Sequence, residues 1–189
     1  MRSRWMIVAA FGALFVGAAI VRVVAPRVVG GPSTESCPAN AKKANLNFTL
    51  KDTDGHEIRL ADYSGKVLLL DFWATWCGPC KVEIPGFVAL YNTYKARGFE
   101  VVGVVVMDEF AKAKPFAEQY KMNYPVVNGI DRGDLDEAYG PFFGLPTTLL
   151  IARDGRICAR HLGLPPATLS WPSATSVREA FEAEIRSLL

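Results

Sequence analysis

Residues 67–81 read VLLLDFWATWCGPCK: an apolar run holding one acid, then two cysteines three positions apart. A near-continuous apolar stretch such as Val67–Trp73 predicts a strand buried on both faces, and Asp71 is its lone charge. Pro79 suits the first turn of a helix, where its missing N–H costs no hydrogen bond. A helix is therefore expected to begin at Cys77–Pro79 and to run to about Arg97, kinked at Pro85 and ending before Gly98. Cys77 then stands at the helix start, where unpaired N–H groups and the positive end of the dipole favour a thiolate and draw its pKa from about 8.5 towards ~7. Cys80, one turn further in, can close a disulfide with it without unfolding the helix and is suited to resolving a mixed disulfide.

Working outward, Phe99–Met107 reads as a second buried strand, and Glu109–Tyr120 and Asp134–Tyr139 as helices. Asn47–Leu50 and Glu57–Leu60 flank Asp54-Gly55, and Thr147–Ala152 and Arg156–Leu162 flank Asp154-Gly155, so two hairpins are expected. Residues 163–175 form a Pro- and Ser-rich loop before an amphipathic closing helix, Ser176–Leu189. Alternating strands and helices with a hairpin at each end predict an α/β domain whose sheet is mixed.

The N-terminus is of a different kind. Residues 5–21 are 17 uncharged, mostly apolar residues behind Arg2 and Arg4. At ~1.5 Å per residue they reach roughly 25 Å, the short end of what a bilayer core requires. An uncleaved signal anchor within residues 1–24 is favoured, with the catalytic domain exported; cleavage after Ala18, releasing a secreted domain, is the alternative. Residues 25–45 read as a flexible tether, which leaves 46–189 as the folded domain. Residues 1–43 carry +5 of a total of +2, so the remainder is −3. A mildly acidic domain offers nucleic acid no electrostatic footprint.

Two cysteines at this spacing could also be half a zinc site or a static crosslink. Structural zinc needs four ligands, Cys37 and Cys158 are single, and nothing around His56 or His161 completes a set, so neither metal nor cofactor is expected. A disulfide closing so small a loop would stabilise little if it were only structural.

Trp73-Ala74-Thr75-Trp76-Cys77-Gly78-Pro79-Cys80, together with Gly144-Leu145-Pro146-Thr147-Thr148, resembles the thioredoxin-fold superfamily and within it the membrane-anchored TlpA/ResA-like redoxins. The resemblance covers roughly residues 46–162 and most of the closing helix. It implies a central mixed sheet flanked by helices and a cis Pro146 facing the dithiol, preceded by Leu145. Trp76, Gly78 and Pro79 are then expected to contribute to the surface that docks substrate, and Trp73 to the core. Two carboxylates are candidates for serving Cys80. Asp71 occupies the position of the buried aspartate of thioredoxins. Glu83, one turn past Cys80 and followed by Pro85, matches the acid of TlpA/ResA-like proteins, which often carry Asn where this chain has Asp71. Having both leaves open which one acts.

The expected activity is thiol-disulfide exchange on an exported, disulfide-containing protein. The resemblance suggests apocytochrome c cysteines as the substrate and a membrane thiol carrier as the electron donor. A peroxide reductase would use Pro and Thr or Ser where this chain has Leu70 and Ala74, and a copper carrier would need wider cysteine spacing and a distal histidine. With Cys77 and Cys80 assigned, the only intramolecular pairing left is Cys37 with Cys158. The alternative is a buried, unpaired Cys158.

Overall fold

The computed structural model describes residues 37–166 and 172–189. Its elements are β1 (Thr49–Lys51), β2 (Glu57–Arg59), β3 (Val67–Trp73), α1 (Gly78–Tyr94), β4 (Phe99–Val105), α2 (Ala113–Gln119), β5 (Val126–Asn128), α3 (Gly133–Tyr139), β6 (Thr147–Ile151), β7 (Ile157–Leu162) and α4 (Ala174–Leu188). β1 and β2 form the hairpin around Asp54-Gly55. The other five strands make one sheet in the order β5-β4-β3-β6-β7. β3, β4 and β5 are parallel, β6 is antiparallel to β3 and β7 antiparallel to β6, so the sheet is mixed.

Alternation along β3 divides the core. Leu68, Leu70 and Phe72 face one side, where they meet Phe48, Leu50, Val102, Leu149 and Tyr139. Val67 and Leu69 face the other, against Phe87 and Leu90 of α1 and Val177, Phe181 and Ile185 of α4. Asp71 follows in that second row, so the pleat points a carboxylate into the layer between sheet and helices. α1 and α4 approach closely at Gly86, where an added Cβ would stand 2.9 Å from the Ala174 carbonyl oxygen. Ser173 caps α4 by accepting from the Ser176 N–H.

Several boundaries differ from the sequence-based expectation. α1 ends at Tyr94, short of the expected end; a 3-10 turn covers Lys95–Arg97, closed by Gly98 at φ 87°. The helix expected over Glu109–Tyr120 is a 3-10 turn, Phe110–Lys112, followed by the shorter α2. β5 was not anticipated: three residues after Pro125 carry too little periodicity to be read, and the strand exists because β4 offers a parallel edge.

The folded region also begins before residue 46. The Ala44 N–H donates to the Gly155 carbonyl at 2.8 Å and the Ile157 N–H to the Lys42 carbonyl at 2.8 Å. Arg156 reaches the Pro38 carbonyl at 3.0 Å. Cys37 is disulfide-bonded to Cys158 across 121 residues of sequence. The end of the expected tether therefore lies along the start of β7, because backbone pairing and a covalent bond both hold it there. Replacing both cysteines by Ser should lower stability by up to ~4 to 5 kcal/mol, the chain-entropy value for so long a loop. Urea unfolding with the other disulfide intact measures it, and a loss under ~1 kcal/mol would mean that the hydrogen bonds alone secure the segment.

Among the described residues no helix is long and apolar enough to cross a membrane. The expected membrane segment, residues 5–21, lies outside the described residues.

Candidate active site

β3 delivers the chain to the dithiol through a tight turn. The Cys77 N–H donates to the Ala74 carbonyl at 3.1 Å. The Thr75 N–H donates to Asp108 Oδ2 at 2.6 Å, and the Glu109 N–H to Asp108 Oδ1 at 2.7 Å. Burial works against the Asp108 charge, but these bonds from Thr75 and Glu109 and the nearby Lys112 ammonium hold its carboxyl below the usual range. The loop after β4 is thus clamped to the turn before the helix. Trp76 adds a second clamp, donating from Nε1 to the Met107 carbonyl at 2.9 Å.

Cys77 is the N-cap of α1, and its sulfur accepts from the Cys80 N–H at 3.1 Å. A sulfur in that position gains most when it is negative, since the donor is one of the helix's otherwise unpaired N–H groups. The structure holds the oxidised form, with a Cys77–Cys80 disulfide and Cα atoms 5.3 Å apart. Cys77 is 3% exposed and Cys80 fully buried, so only Cys77 meets the surface. Gly78 and Pro79 are exposed beside them. Trp76 is 60% exposed, whereas Trp73 is fully buried against Phe116.

The segment joining α3 to β6 completes the site. Leu145–Pro146 is a cis peptide bond, as is Gly140–Pro141. Leu145 packs against the cluster that contains Cys77, Cys80 and Ile84, and the Pro146 carbonyl accepts from the Gly163 N–H at 2.8 Å. Met107 and Asp108 also line a cavity of about 900 Å³, with Ile130, Arg132 and Phe142 among its other walls. Ile130 packs on the dithiol cluster as well, so this cavity adjoins the reactive pair.

Both candidate acids lie in the layer between the sheet and α1. Asp71 and Glu83 are fully buried, and no donor of the protein reaches any of their four oxygens. Glu83, whose sequence context alone also suits a solvated helix residue, points inward from α1. Burial pushes Asp71 up to about 7, an effect reduced by its contact with Glu83. Burial, then repulsion from and contact with Asp71, hold Glu83 well above the usual carboxylate range. Two carboxylates with no other donor can bond to each other only if one is protonated, so the pair is a place where a single proton is shared. Gly103 of β4 stands opposite Asp71. A Cβ there would come within 2.8 Å of Trp73 Nε1, so only glycine lets that indole lie over the strand.

Three further residues belong to this environment and were not singled out in the sequence. Asp108 gives no signal there because its partners are backbone groups of another loop. Thr148, beside the Pro146 motif, is a polar residue in an apolar strand, and its hydroxyl is buried without a partner. So is the hydroxyl of Tyr124, whose ionisation is opposed first by burial and then by the charges of Asp71 and Glu83. As for metals, Asp52, Asp54 and His56 form the one group of possible ligands among the described residues. Asp54 there is paired with Lys114, and Asp52 is occupied by the N–H groups of its own turn, so the group is explained as hairpin structure.

A model of the AhpC/TSA family matches residues 41–160, well over half of the chain and the whole of the dithiol site. The chain belongs to the AhpC/TSA family. Among AhpC/TSA-type relatives it is 44% identical over 114 residues to the thiol-disulfide oxidoreductase ResA of Geobacillus kaustophilus, covering 59% of this chain and 63% of that one. It is 37% identical over 126 residues to ResA of Halalkalibacterium halodurans, covering 66% and 70%. The match to the Geobacillus protein, and a similar one covering 61% of ResA of Bacillus subtilis, therefore span less than two thirds of those relatives. A solved thiol:disulfide interchange protein of the thioredoxin family from Chlorobium tepidum superposes with a TM-score of 0.65 at 25% identity, covering 80% of this chain and 98% of that one. The fold of this AhpC/TSA member is thus the thioredoxin-type α/β sandwich with a central mixed sheet, and within its family it is ResA-like.

Proposed function

We propose that the protein is a thiol-disulfide oxidoreductase that reduces disulfides of exported proteins. The observation that carries this reading is a dithiol at a helix N-terminus, with Cys77 as the N-cap and Cys80 one turn in, on the same helix that buries Glu83 against Asp71. In the reduced protein the Cys77 thiolate attacks one sulfur of a substrate disulfide, and the other substrate sulfur leaves as a thiolate that takes a proton from water. Cys80 then gives its proton to the Asp71–Glu83 pair. Its thiolate attacks the Cys77 sulfur of the mixed disulfide, releasing the second substrate thiolate and closing the bond seen here. The fold brings both carboxylates to one place, so the pair acts together as the base.

Trp76, Gly78, Pro79, Leu145 and Pro146 are the proposed docking surface, with the cavity beside Met107 leaving room for the chain flanking the substrate cysteine. The ResA relatives and the TlpA/ResA-like motif make apocytochrome c cysteines the first substrate to try, with a membrane thiol carrier as donor. The apolar run at residues 5–21 supports a membrane anchor with an exported domain, and the Cys37–Cys158 bond suits an oxidising compartment. For a peroxide reductase, the positions that would carry Pro and Thr or Ser are Leu70 and Ala74, both buried and apolar. For a copper carrier, the histidines are engaged elsewhere, His56 with Asp52 and His161 with Glu184.

The reductive direction is testable on its own. Gly78 and Pro79 add no cation or histidine beside the Cys77 thiolate, so nothing beyond the helix terminus stabilises the reduced form. The potential should lie near the ~−270 mV of thioredoxin. Equilibration with glutathione measures it, and a value above about −180 mV would mark an oxidant or isomerase instead.

A further inference from the structure

The proton that Cys80 gives up is left in a closed interior, and the strand register shows a way out. Asp71 of β3 is opposite Thr148 of β6, and Thr148 is opposite His161 of β7. Side chains directly opposite each other on neighbouring strands share a face, with Cβ atoms about 4.5 to 5.5 Å apart. The three therefore form one row across the sheet, on the side covered by α1 and α4. The row starts at a fully buried carboxylate, passes an unpartnered buried hydroxyl, and ends at an imidazole whose side chain is 19% exposed. His161 Nε2 is 3.0 Å from Glu184 Oε2, and its ring lies edge-on to Phe181.

We propose that Asp71, Thr148 and His161 form a cross-strand outlet through which the proton taken from Cys80 leaves the interior, with Thr148 as the link and His161 as the group that meets water. The inference rests on the proposed dithiol exchange. Thr148 and His161 act through Asp71 and touch no substrate, so both are positioning residues. When the Asp71–Glu83 pair holds the Cys80 proton, the Thr148 hydroxyl accepts it from Asp71 and donates its own to the imidazole, which releases one to water. Bond count and charge are conserved at each transfer. The hydroxyl has no partner in the oxidised form; turned to Asp71 in the reduced protein, it donates to the ionised carboxylate and so lowers the proton affinity of the pair. A histidine suits the outer end because one ring nitrogen can accept a proton while the other donates one.

Other groups around the row are few. Asp71 stands opposite Gly103 of β4, meets Glu83 of α1, and its charge acts on Tyr124 from the segment before β5. His161 faces Thr148 from β6 and Glu184 from α4. On α4 Arg178 and Glu182 pair with each other, and Arg160 turns to the Tyr139 carbonyl. Asp71 and His161 lie two interstrand spacings apart, about 10 Å. At that distance, inside the protein, the charge state of Asp71 reaches the imidazole electrostatically.

Two measurements on the full chain test this. The sequence has two histidines, so in the surface variant His56→Gln the imidazole signals belong to His161 alone. Those signals should move at the pH where the acid pair changes charge, and Asp71→Asn should abolish that movement. In single-turnover reduction of a disulfide peptide, Thr148→Val should be about tenfold slower on the acidic limb, with that limb moved up by about one pH unit and the rate unchanged at high pH. Thr148→Ser should restore the wild-type profile, and His161→Gln should slow the acidic limb as Thr148→Val does. His161 signals whose pH dependence is identical with and without Asp71, or a Thr148→Val profile superimposing on the wild type, overturn the outlet. If the wild-type protein reduces no disulfide, the functional reading fails, while the titration still reports on the row.

Discussion

Cys80→Ser should convert the protein into a trap: attack by Cys77 proceeds, no resolving thiolate follows, and a mixed disulfide with the substrate accumulates. Cys77→Ser should form no adduct and drop turnover to the rate of uncatalysed exchange, because Cys80 is fully buried and cannot meet a protein disulfide. The asymmetry comes from depth and helix position. The Cys77 sulfur is the N-cap acceptor and keeps a small opening to solvent, while Cys80 sits one turn inside with none. Removing both carboxylates, with Asp71→Asn and Glu83→Gln together, should slow the resolving step by about 10² or more, the low end for a positioned base. Rapid mixing followed by alkylation and mass spectrometry reads all three variants. Adducts of equal abundance on Cys77→Ser and Cys80→Ser would contradict the assignment of roles.

Asp71→Asn should stabilise the oxidised protein at pH 8 and change little near pH 4. The sign follows from where the proton sits. Asp71 is pushed up to about 7 in the fold by burial, against about 3.9 in the unfolded chain. Below about pH 4 both states are protonated and folding costs nothing for this group. Between about 4 and 7 the unfolded chain releases the proton that the fold retains, so stability declines with rising pH. Above 7 the fold carries the full cost of a buried charge, up to ~4 kcal/mol for a displacement of this size. An amide removes that decline, leaving the part that Glu83 contributes. Urea unfolding at pH 4 and pH 8 compares the two proteins. Equal stabilities at pH 8 would mean that Asp71 is ionised at no cost, which its unpartnered oxygens contradict.

Much of this site was legible in the residues because its chemistry is local. Cys77, Pro79 and Cys80 lie within one turn of each other, so spacing and helix physics were enough to place them at the start of α1. Asp71 stood out as a charge in an apolar strand. Glu83 was harder: a glutamate three residues past a cysteine suits a solvated helix face as well as a buried one, and only the packing of α1 on β3 decides. Asp108, Tyr124, Thr148 and His161 matter here through partners from other elements, and no pattern along the chain records register between strands. β5 was invisible for the same reason, being three residues made into a strand by the edge of β4. Cysteine arithmetic named Cys37 and Cys158 as a possible pair, but not the hydrogen bonds of residues 42–44 with 155–157 that draw the two together.

The central claim is that Cys77 and Cys80 form the redox centre while the second disulfide is structural. The most direct measurement is a single turnover of protein reduced only at the dithiol, mixed with an equimolar disulfide-containing peptide, quenched by alkylation and mapped by mass spectrometry. The account predicts that each peptide disulfide reduced appears as one Cys77–Cys80 bond, with Cys37–Cys158 intact throughout. Peptide left unreduced, or oxidising equivalents found on Cys37 and Cys158, would contradict it.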